Sequence, residues 1–394
     1  MYRPPVPSFF IRARIDQEIS RLKAWPVFAI FFIQVVLFLG HWLVYSTVVG
    51  FFPGLSPVTT ADLRAILFVM AFTFVAASLL AFRFSNFAVH FFYTVAAVWL
   101  GYLNLFFWAS LLARLVWLAL RFSHLEANSA ASRPAITGIL FATAALAGFY
   151  GLVNARIVRV HRIAIRLPNL PEAWRGRRAV LLSDLHLGPV NGVGFCRRMV
   201  RMAARFQPDA VFLPGDLFDG THADPDRLLA PFRSLAPPHG IYFSTGNHEE
   251  FTVATHYLEA VTRAGIRVLA NESVEVDGLI IAGVLYQDST HIIRMKAFLD
   301  SLHLDGTQPC VLLNHSPTRL PIVEQAGVSL QLSGHTHGGQ IFPFTWLTRR
   351  VFGRFTTGLN RFGALQVYTS TGAGTWGPPM RVGSAPEMVV LTFE

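Results

Sequence analysis

The sequence predicts an α/β fold: two stacked sheets with helices on their outer faces (α/β/β/α), preceded by four transmembrane helices. Three observations point there. Four long apolar runs fill the first 155 residues. At Ala179 the texture changes to short apolar runs alternating with amphipathic stretches, the pattern of α/β layers. A hairpin-like pair of runs flanks Asp277-Gly278 and adds antiparallel strands to that arrangement.

The apolar runs cover about residues 24–52, 65–82, 88–120 and 135–155, the third interrupted only by Arg114. Each meets or approaches the roughly 20 residues a helix needs to cross the hydrocarbon core. None shows the polar face that a helix of a soluble bundle keeps. Hydrophobic residues make up 53% of the 394-residue chain and charged ones 14%, too apolar a balance for an ordinary soluble protein. His41 and Asn104 lie inside the runs and read as groups packed against another helix, although polar groups within a membrane are also functional candidates. The first run is too long for a signal-peptide core and lacks a small-residue cleavage site. Cys196 and Cys310 are far apart in the sequence and suggest no disulfide framework, which fits a reducing compartment.

Basic residues set the orientation. Arg3, Arg12, Arg14, Arg21 and Lys23 precede the first run; Arg156, Arg159, Arg162, Arg166, Arg175, Arg177 and Arg178 follow the fourth. An even number of crossings puts both clusters on one side, and the positive-inside rule makes that side cytoplasmic. Residues 179–394 hold 16 Lys plus Arg against 18 Asp plus Glu, so the formal +10 belongs to the membrane half and its linker. Anionic membrane lipids account for the basic clusters, and no specific nucleic-acid partner is expected. The division is thus a four-helix transmembrane domain over 1–155, a basic juxtamembrane linker and strand over 156–178, and a globular domain over 179–394.

In the globular domain, strands are expected at 179–183, 210–213, 241–244, 273–276, 279–282, 311–313, 330–332, 365–369 and 388–392, with helices near 194–206 and 252–264. Polar clusters follow five of these strands. They are Ser183-Asp184-Leu185-His186, Gly215-Asp216-Leu217-Phe218-Asp219, Gly246-Asn247-His248-Glu249, Asn314-His315 and Gly334-His335-Thr336-His337-Gly338-Gly339-Gln340. Loops at the carboxyl ends of sheet strands commonly build α/β active sites.

These motifs resemble the calcineurin-like metallophosphoesterase superfamily over about residues 179–394. The Gly-His-Thr-His-Gly-Gly-Gln run, with Pro343, Gly372-x-Gly374 and Arg381, is similar to its membrane-attached bacterial branch, some of whose members act on lipid-linked phosphate compounds. The resemblance implies one metal ion on Asp184, His186 and His337 and a second on Asn247, His315 and His335, with the Asp216 carboxylate bridging them. His248 would contact phosphate or act as the leaving-group acid. The implied location is a bacterial inner or plasma membrane, multi-pass, with the catalytic domain cytoplasmic.

The donor chemistry is compatible. Mixed carboxylate, imidazole and amide donors suit two divalent ions of the Mn²⁺, Fe²⁺ or Zn²⁺ kind, and two ions about 3.5–4 Å apart clamp both sides of a phosphoryl displacement. A bridging hydroxide would attack phosphorus directly, which leaves Ser183 a structural loop residue. Asp219 and Glu249 read as loop-organising groups behind the ligands, Glu249 with helix capping as its alternative. Arg381 either reaches the substrate or braces a loop. His222, His239, His256, His291 and His303 lack this setting and read as non-ligands. Gly188, Gly192 and Gly194 lack the P-loop Lys and Ser/Thr and read as turn formers.

The expected function is hydrolysis of a phosphoester or pyrophosphate, on a phosphate-containing small molecule or a lipid-linked substrate, at the membrane. Phosphodiesterase or phosphatase action on soluble nucleotides, a non-catalytic metal-binding sensor and a transporter are the alternatives; for the last, the helices show no obvious charged pathway. Residues 341–362 interleave Phe342, Phe344, Trp346, Phe352, Phe355 and Phe362 with Arg349, Arg350, Arg354 and Arg361. This stretch is expected to form a membrane-facing rim, with a loop packed on the core, or an oligomer contact, as its alternatives. The sequence leaves the oligomeric state open.

Overall fold

The computed structural model describes residues 25–122, 129–251 and 254–394. The N-terminal basic cluster, Arg3 to Lys23, lies outside the described residues. Helices α1 (Trp25–Phe51), α2 (Pro57–Arg83), α3 (Phe87–Phe122) and α4 (Ser129–Asn154) are each long and apolar enough to cross a membrane. The chain is a multi-pass membrane protein.

Two of these helices begin before their apolar runs do, because hydropathy marks the oily part of a helix and not its end. In α2 the Ser56 hydroxyl accepts from the Thr59 amide at 3.0 Å and caps the helix. Pro57 occupies the first position, where a missing N–H costs nothing.

The described residues form two compact units, one within 1–76 and 106–141, the other within 77–105 and 142–394. In the first, Arg114 is satisfied by hydroxyls: Nε donates to Thr47 Oγ1 and Nη2 to Ser46 Oγ, both at 2.8 Å. His41 is buried, and its Nδ1 lies 2.7 Å from the Leu37 carbonyl one turn earlier in its own helix.

The second unit contains the predicted sandwich. One sheet runs β1 (Arg159–Ile165), β12 (Glu387–Phe393), β2 (Arg178–Leu181), β3 (Ala210–Pro214), β4 (Ile241–Ser244), β5 (Arg267–Val268). The other runs β10 (Gly358–Phe362), β11 (Leu365–Thr369), β9 (Leu330–Ser333), β8 (Cys310–Leu313), β7 (Leu279–Gly283), β6 (Glu272–Val276). The hairpin at Asp277-Gly278 is β6–β7, antiparallel as expected. Strands β5 and β10 escaped the sequence reading: β5 has two residues, and β10 is a half-exposed edge without a continuous apolar run.

Period-2 side-chain alternation explains the layers. Ala179, Leu181 and Phe212 face Ile281, Val311, Leu313 and Leu332 of the second sheet. Their neighbours Val180, Leu182, Val211 and Leu213 face the other way, onto the helix Val193–Ala204 through Cys196, Met199 and Val200. A third cluster packs Leu312, Val367 and Leu365 under the helix Ile292–Ser301. Both cysteines are buried free thiols. Because β2, β3 and β4 are mutually parallel, and β8 and β9 likewise, the five motif loops leave these strands at their carboxyl ends.

Trp174 closes the intersheet core. It is fully buried, meets Phe393 edge-on at 5.3 Å, and donates from Nε1 to the Val276 carbonyl at 2.8 Å. Trp174→Ala should cost about 3–5 kcal/mol of stability, read as a lowered midpoint of thermal unfolding in lipid nanodiscs. An unchanged midpoint would contradict this packing account.

Candidate metal centre

The five loops bring together every residue the sequence singled out as a ligand. Asp184, His186 and His337 present donor atoms within 4.8 Å of one another; so do Asp216, His315 and His335, and so do His186, Asp216 and His248. In the first group, His186 Nε2 and His337 Nε2 lie 3.0 Å apart, and His337 Nε2 is 3.5 Å from Asp184 Oδ1. In the second, Asn247 Oδ1 is 2.9 Å from His335 Nδ1 and 3.2 Å from His315 Nε2. One oxygen joins them: Asp216 Oδ2 is 3.7 Å from His186 Nε2 and 3.1 Å from His315 Nε2.

The backbone is strained to achieve this. Asp184 (φ 52°), His186 (φ 45°), Asp216 (φ 50°), His335 (φ 70°) and His337 (φ 49°) all sit in the left-handed region, which costs a non-glycine residue roughly 1–2 kcal/mol. Such strain persists only where the surroundings over-determine it, and here they do. Glu249 is buried and accepts three backbone N–H groups: Asp216 at 3.0 Å, Phe218 at 3.0 Å and Gly246 at 2.7 Å. It ties two motif loops together. Asp184 Oδ1 accepts the His335 amide at 3.0 Å, and Asp216 Oδ1 accepts the His248 amide at 3.0 Å. Glycine is required at two crossings. A Cβ on Gly246 would fall on Asp216 Oδ1, and one on Gly334 would fall on Ser183 Oγ and Asp184 Oδ2.

Arg381 braces loops from behind the site, and its Nη2 lies 3.2 Å from Nδ1 of the His337 ring. Its side chain is fully buried and donates to the carbonyls of His337 (3.0 Å), Thr371 (2.8 Å) and Gly374 (2.6 Å). Its own backbone is anchored on α4, where its amide donates to the Gly151 carbonyl at 2.9 Å and Asn154 Nδ2 donates to its carbonyl at 3.0 Å. Asp219 organises its loop, Oδ1 accepting Thr221 N at 2.9 Å and Thr221 Oγ1 at 2.6 Å. Gly188 makes room for that carboxylate. The buried Ser183 hydroxyl donates to Asp184 Oδ2 at 2.5 Å, a structural role.

Sequence reading missed Tyr286 and Trp376. The Tyr286 ring lies 5.7 Å from that of His315 and 5.9 Å from that of His335. Trp376, exposed, lies 5.7 Å from the ring of His248 and is held there by Gln340, which donates to its carbonyl at 2.9 Å and accepts its amide at 3.0 Å. Neither residue belongs to a motif, and each reaches the site from an element of its own.

The electrostatics suit cations. Burial would raise the Asp216 carboxyl, but His315, then His186 and His248, hold it well below the usual carboxylate range. Burial opposes the proton on His315, yet the Asp216 carboxylate pushes it up to about 10. Burial raises Asp184 to about 6 and Glu249 to about 7, in each case with the Asp216 charge adding to the effect. Burial also lowers His335 to about 4 and drives His186 and His337 well below the ordinary value, keeping these rings neutral as metal ligation requires. Among the described residues, only imidazoles come within ion-pair distance of Asp184 and Asp216; no Lys or Arg does. The donor set therefore fits two divalent ions sharing one carboxylate. Of the five histidines read as non-ligands, none joins these donor groups.

Gly334→Ala should displace the Asp184 carboxylate and remove one bound metal per chain, leaving the Asn247–His315–His335 side loaded. Metal analysis by mass spectrometry after gel filtration checks this; two metals retained would contradict the close-approach argument.

The chain is similar to known proteins. The calcineurin-like phosphoesterase family pattern matches residues 177–339. A transmembrane protein with a metallophosphoesterase domain from Danio rerio is 34% identical over 273 residues, covering 65% of this chain and 62% of that protein. A metallophosphoesterase of Aquifex aeolicus is 33% identical over 257 residues, covering 64% of this chain and 97% of that protein. One from Campylobacter jejuni is 29% identical over 246 residues, covering 60% and 63%. The chain thus spans less than two thirds of the zebrafish and Campylobacter relatives and nearly all of the Aquifex one.

Proposed function

The chain belongs to the calcineurin-like metallophosphoesterase family, and on that footing we propose that it hydrolyses a phosphoester or pyrophosphate of a lipid-linked substrate at the membrane surface. The observation that carries the hydrolase reading is the single oxygen, Asp216 Oδ2, shared between two buried donor groups. Asp184, His186 and His337 hold one ion in this reading, Asn247, His315 and His335 the other. The ions, of the Mn²⁺, Fe²⁺ or Zn²⁺ kind, supply Lewis acidity toward phosphoryl oxygens and a water that ionises near neutral pH.

The protein's own groups do the rest. Asp216 fixes the spacing of the two sites and holds negative charge between them. His248 is held by its ring, Nδ1 donating to the Asp219 carbonyl at 2.8 Å, and in this reading it contacts the phosphate or its leaving oxygen. General-acid help of this kind is worth about 10²–10⁴-fold. Burial of Asp184, His186 and His315 keeps bulk water from the charged cluster, where electrostatic interactions are then stronger.

The lipid-linked substrate rests on where the site loops are fastened. Within the second unit, Asn104 Nδ2 of α3 donates to the Phe342 carbonyl at 2.9 Å. Gly101 of the same helix lies against Met380 and Pro378. The His222 amide donates to the Ala81 carbonyl of α2 at 3.0 Å. Asn104 thus packs on a loop beside the catalytic motifs, where another helix was expected. A cytoplasmic catalytic domain follows from the basic stretch 156–178 after α4. The Gly-Gly-Gln extension, whose Gln340 positions Trp376, supports placement in the membrane-attached bacterial branch.

Full-length protein in nanodiscs, loaded with metal, should turn over lipid pyrophosphates with higher kcat/KM than soluble nucleotides or simple phosphomonoesters. Preference for a soluble nucleotide would overturn the lipid assignment, and turnover of none would overturn the hydrolase reading. Asp216→Asn should lower kcat by about 10³-fold or more, in line with losing a group at the centre of a transition-state clamp. His248→Ala should lower kcat by about 10²-fold while both metals stay bound. Near-normal turnover in Asp216→Asn would contradict its bridging role.

A further inference from the structure

The stretch 341–362 is two things, not one. Phe355 and Phe362 pack against the third core cluster, as an ordinary surface segment would. The helix Phe344–Phe352 contains no buried residue. Phe342 (53% exposed), Phe344 (51%), Trp346 (60%), Leu347 (50%) and Val351 (67%) stand open to the outside. Phe344, Leu347 and Val351 recur at helical spacing and form one apolar stripe, while Thr345, Thr348 and Phe352 are half-buried on the adjoining face. Arg349, Arg350 and Arg354 are exposed beside the stripe, with the Arg350 guanidinium 5.7 Å from the centre of the Trp346 ring.

We propose that Phe342 and the helix Phe344–Phe352 form an interfacial element that lies in the lipid–water boundary of an anionic bilayer, its apolar stripe among the acyl chains and its arginines at the headgroups. Three features on this element point to lipid. Its composition is that of an interfacial helix: aromatic and aliphatic side chains on one face, arginines beside them and no acidic residue. Aromatic rings and the long stems of arginine favour this boundary. The third is attachment. The Phe342 carbonyl is bonded to Asn104 of α3, a helix that itself crosses the membrane.

Arg349, Arg350 and Arg354, exposed beside the stripe, are the groups that meet anionic headgroups. The inference concerns a docking surface and holds whatever phosphate compound the site hydrolyses.

A nitroxide depth measurement tests it on the full-length protein in nanodiscs of phosphatidylcholine with phosphatidylglycerol. Leu347→Cys carries the spin label at an exposed position on the stripe, and Thr307→Cys provides an exposed control in the loop before β8, at the amino end of that strand and away from the motif loop that follows it. The label at 347 should be several-fold more accessible to oxygen, and several-fold less to a water-soluble nickel chelate, than the label at 307. Arg349→Gln combined with Arg350→Gln should reduce that protection in phosphatidylglycerol and leave it unchanged in phosphatidylcholine alone. Nickel access at 347 equal to that at 307 would overturn the proposal. So would a label closed to both reagents with dipolar coupling between two chains, since a second copy would then be the occupant.

Discussion

The structure turns on one carboxylate oxygen that must serve two places at once. Asp216 Oδ2 lies between imidazoles from opposite halves of the sandwich, His186 after β2 and His315 after β8. For one oxygen to do this, the carboxyl ends of the two sheets must meet, and the loops leaving them must turn back sharply. The five left-handed ligands are the local consequence. The two glycine crossings are another, since they are the points where backbone comes within touching distance of the carboxylates. A buried charge with so few alternatives also explains the reciprocal electrostatics: Asp216 stays ionised because imidazoles surround it, and His315 holds its proton because Asp216 is there. A divalent ion bound there would take the place of that proton as the partner of Asp216.

Such a site needs support from behind, and the support comes from unexpected directions. Glu249 gathers three amides and makes two motif loops one body. Arg381 does the same for the loop of His337, spending its guanidinium on carbonyls. Its backbone rests on Gly151 and Asn154 at the end of α4. In the hydrogen-bond network, one residue, Arg381, therefore separates the last turn of α4 from His337. In this family member the apolar helices are more than a tether: their ends contribute to the frame that shapes the site.

Much of this was legible in the sequence, for a physical reason. Parallel strands put their carboxyl ends on one edge, so short apolar runs followed by Asp, His and Gly announce both the layers and the edge where chemistry collects. Asp184, His186, Asp216, Asn247, His315, His335 and His337 were named on that ground and through family resemblance, and the fold brings all of them together. What escaped were residues whose importance depends on a distant partner. Asn154 ends an apolar run and carries no motif, and Tyr286 and Trp376 enter from outside the five loops. Arg381 was visible, but a lone arginine does not say whether it faces substrate or backbone. The apolar runs did not show where α2 starts, because the Ser56 cap and not hydropathy sets that end.

The central claim is that two ions share Asp216, and electron paramagnetic resonance tests it most directly. Wild-type protein stripped of metal and reloaded with two equivalents of Mn²⁺ should give the broad, multiline spectrum of an exchange-coupled pair, because a single bridging carboxylate holds the ions within a few ångströms. Two independent six-line signals at full occupancy would show ions that do not share a ligand, and would contradict the account.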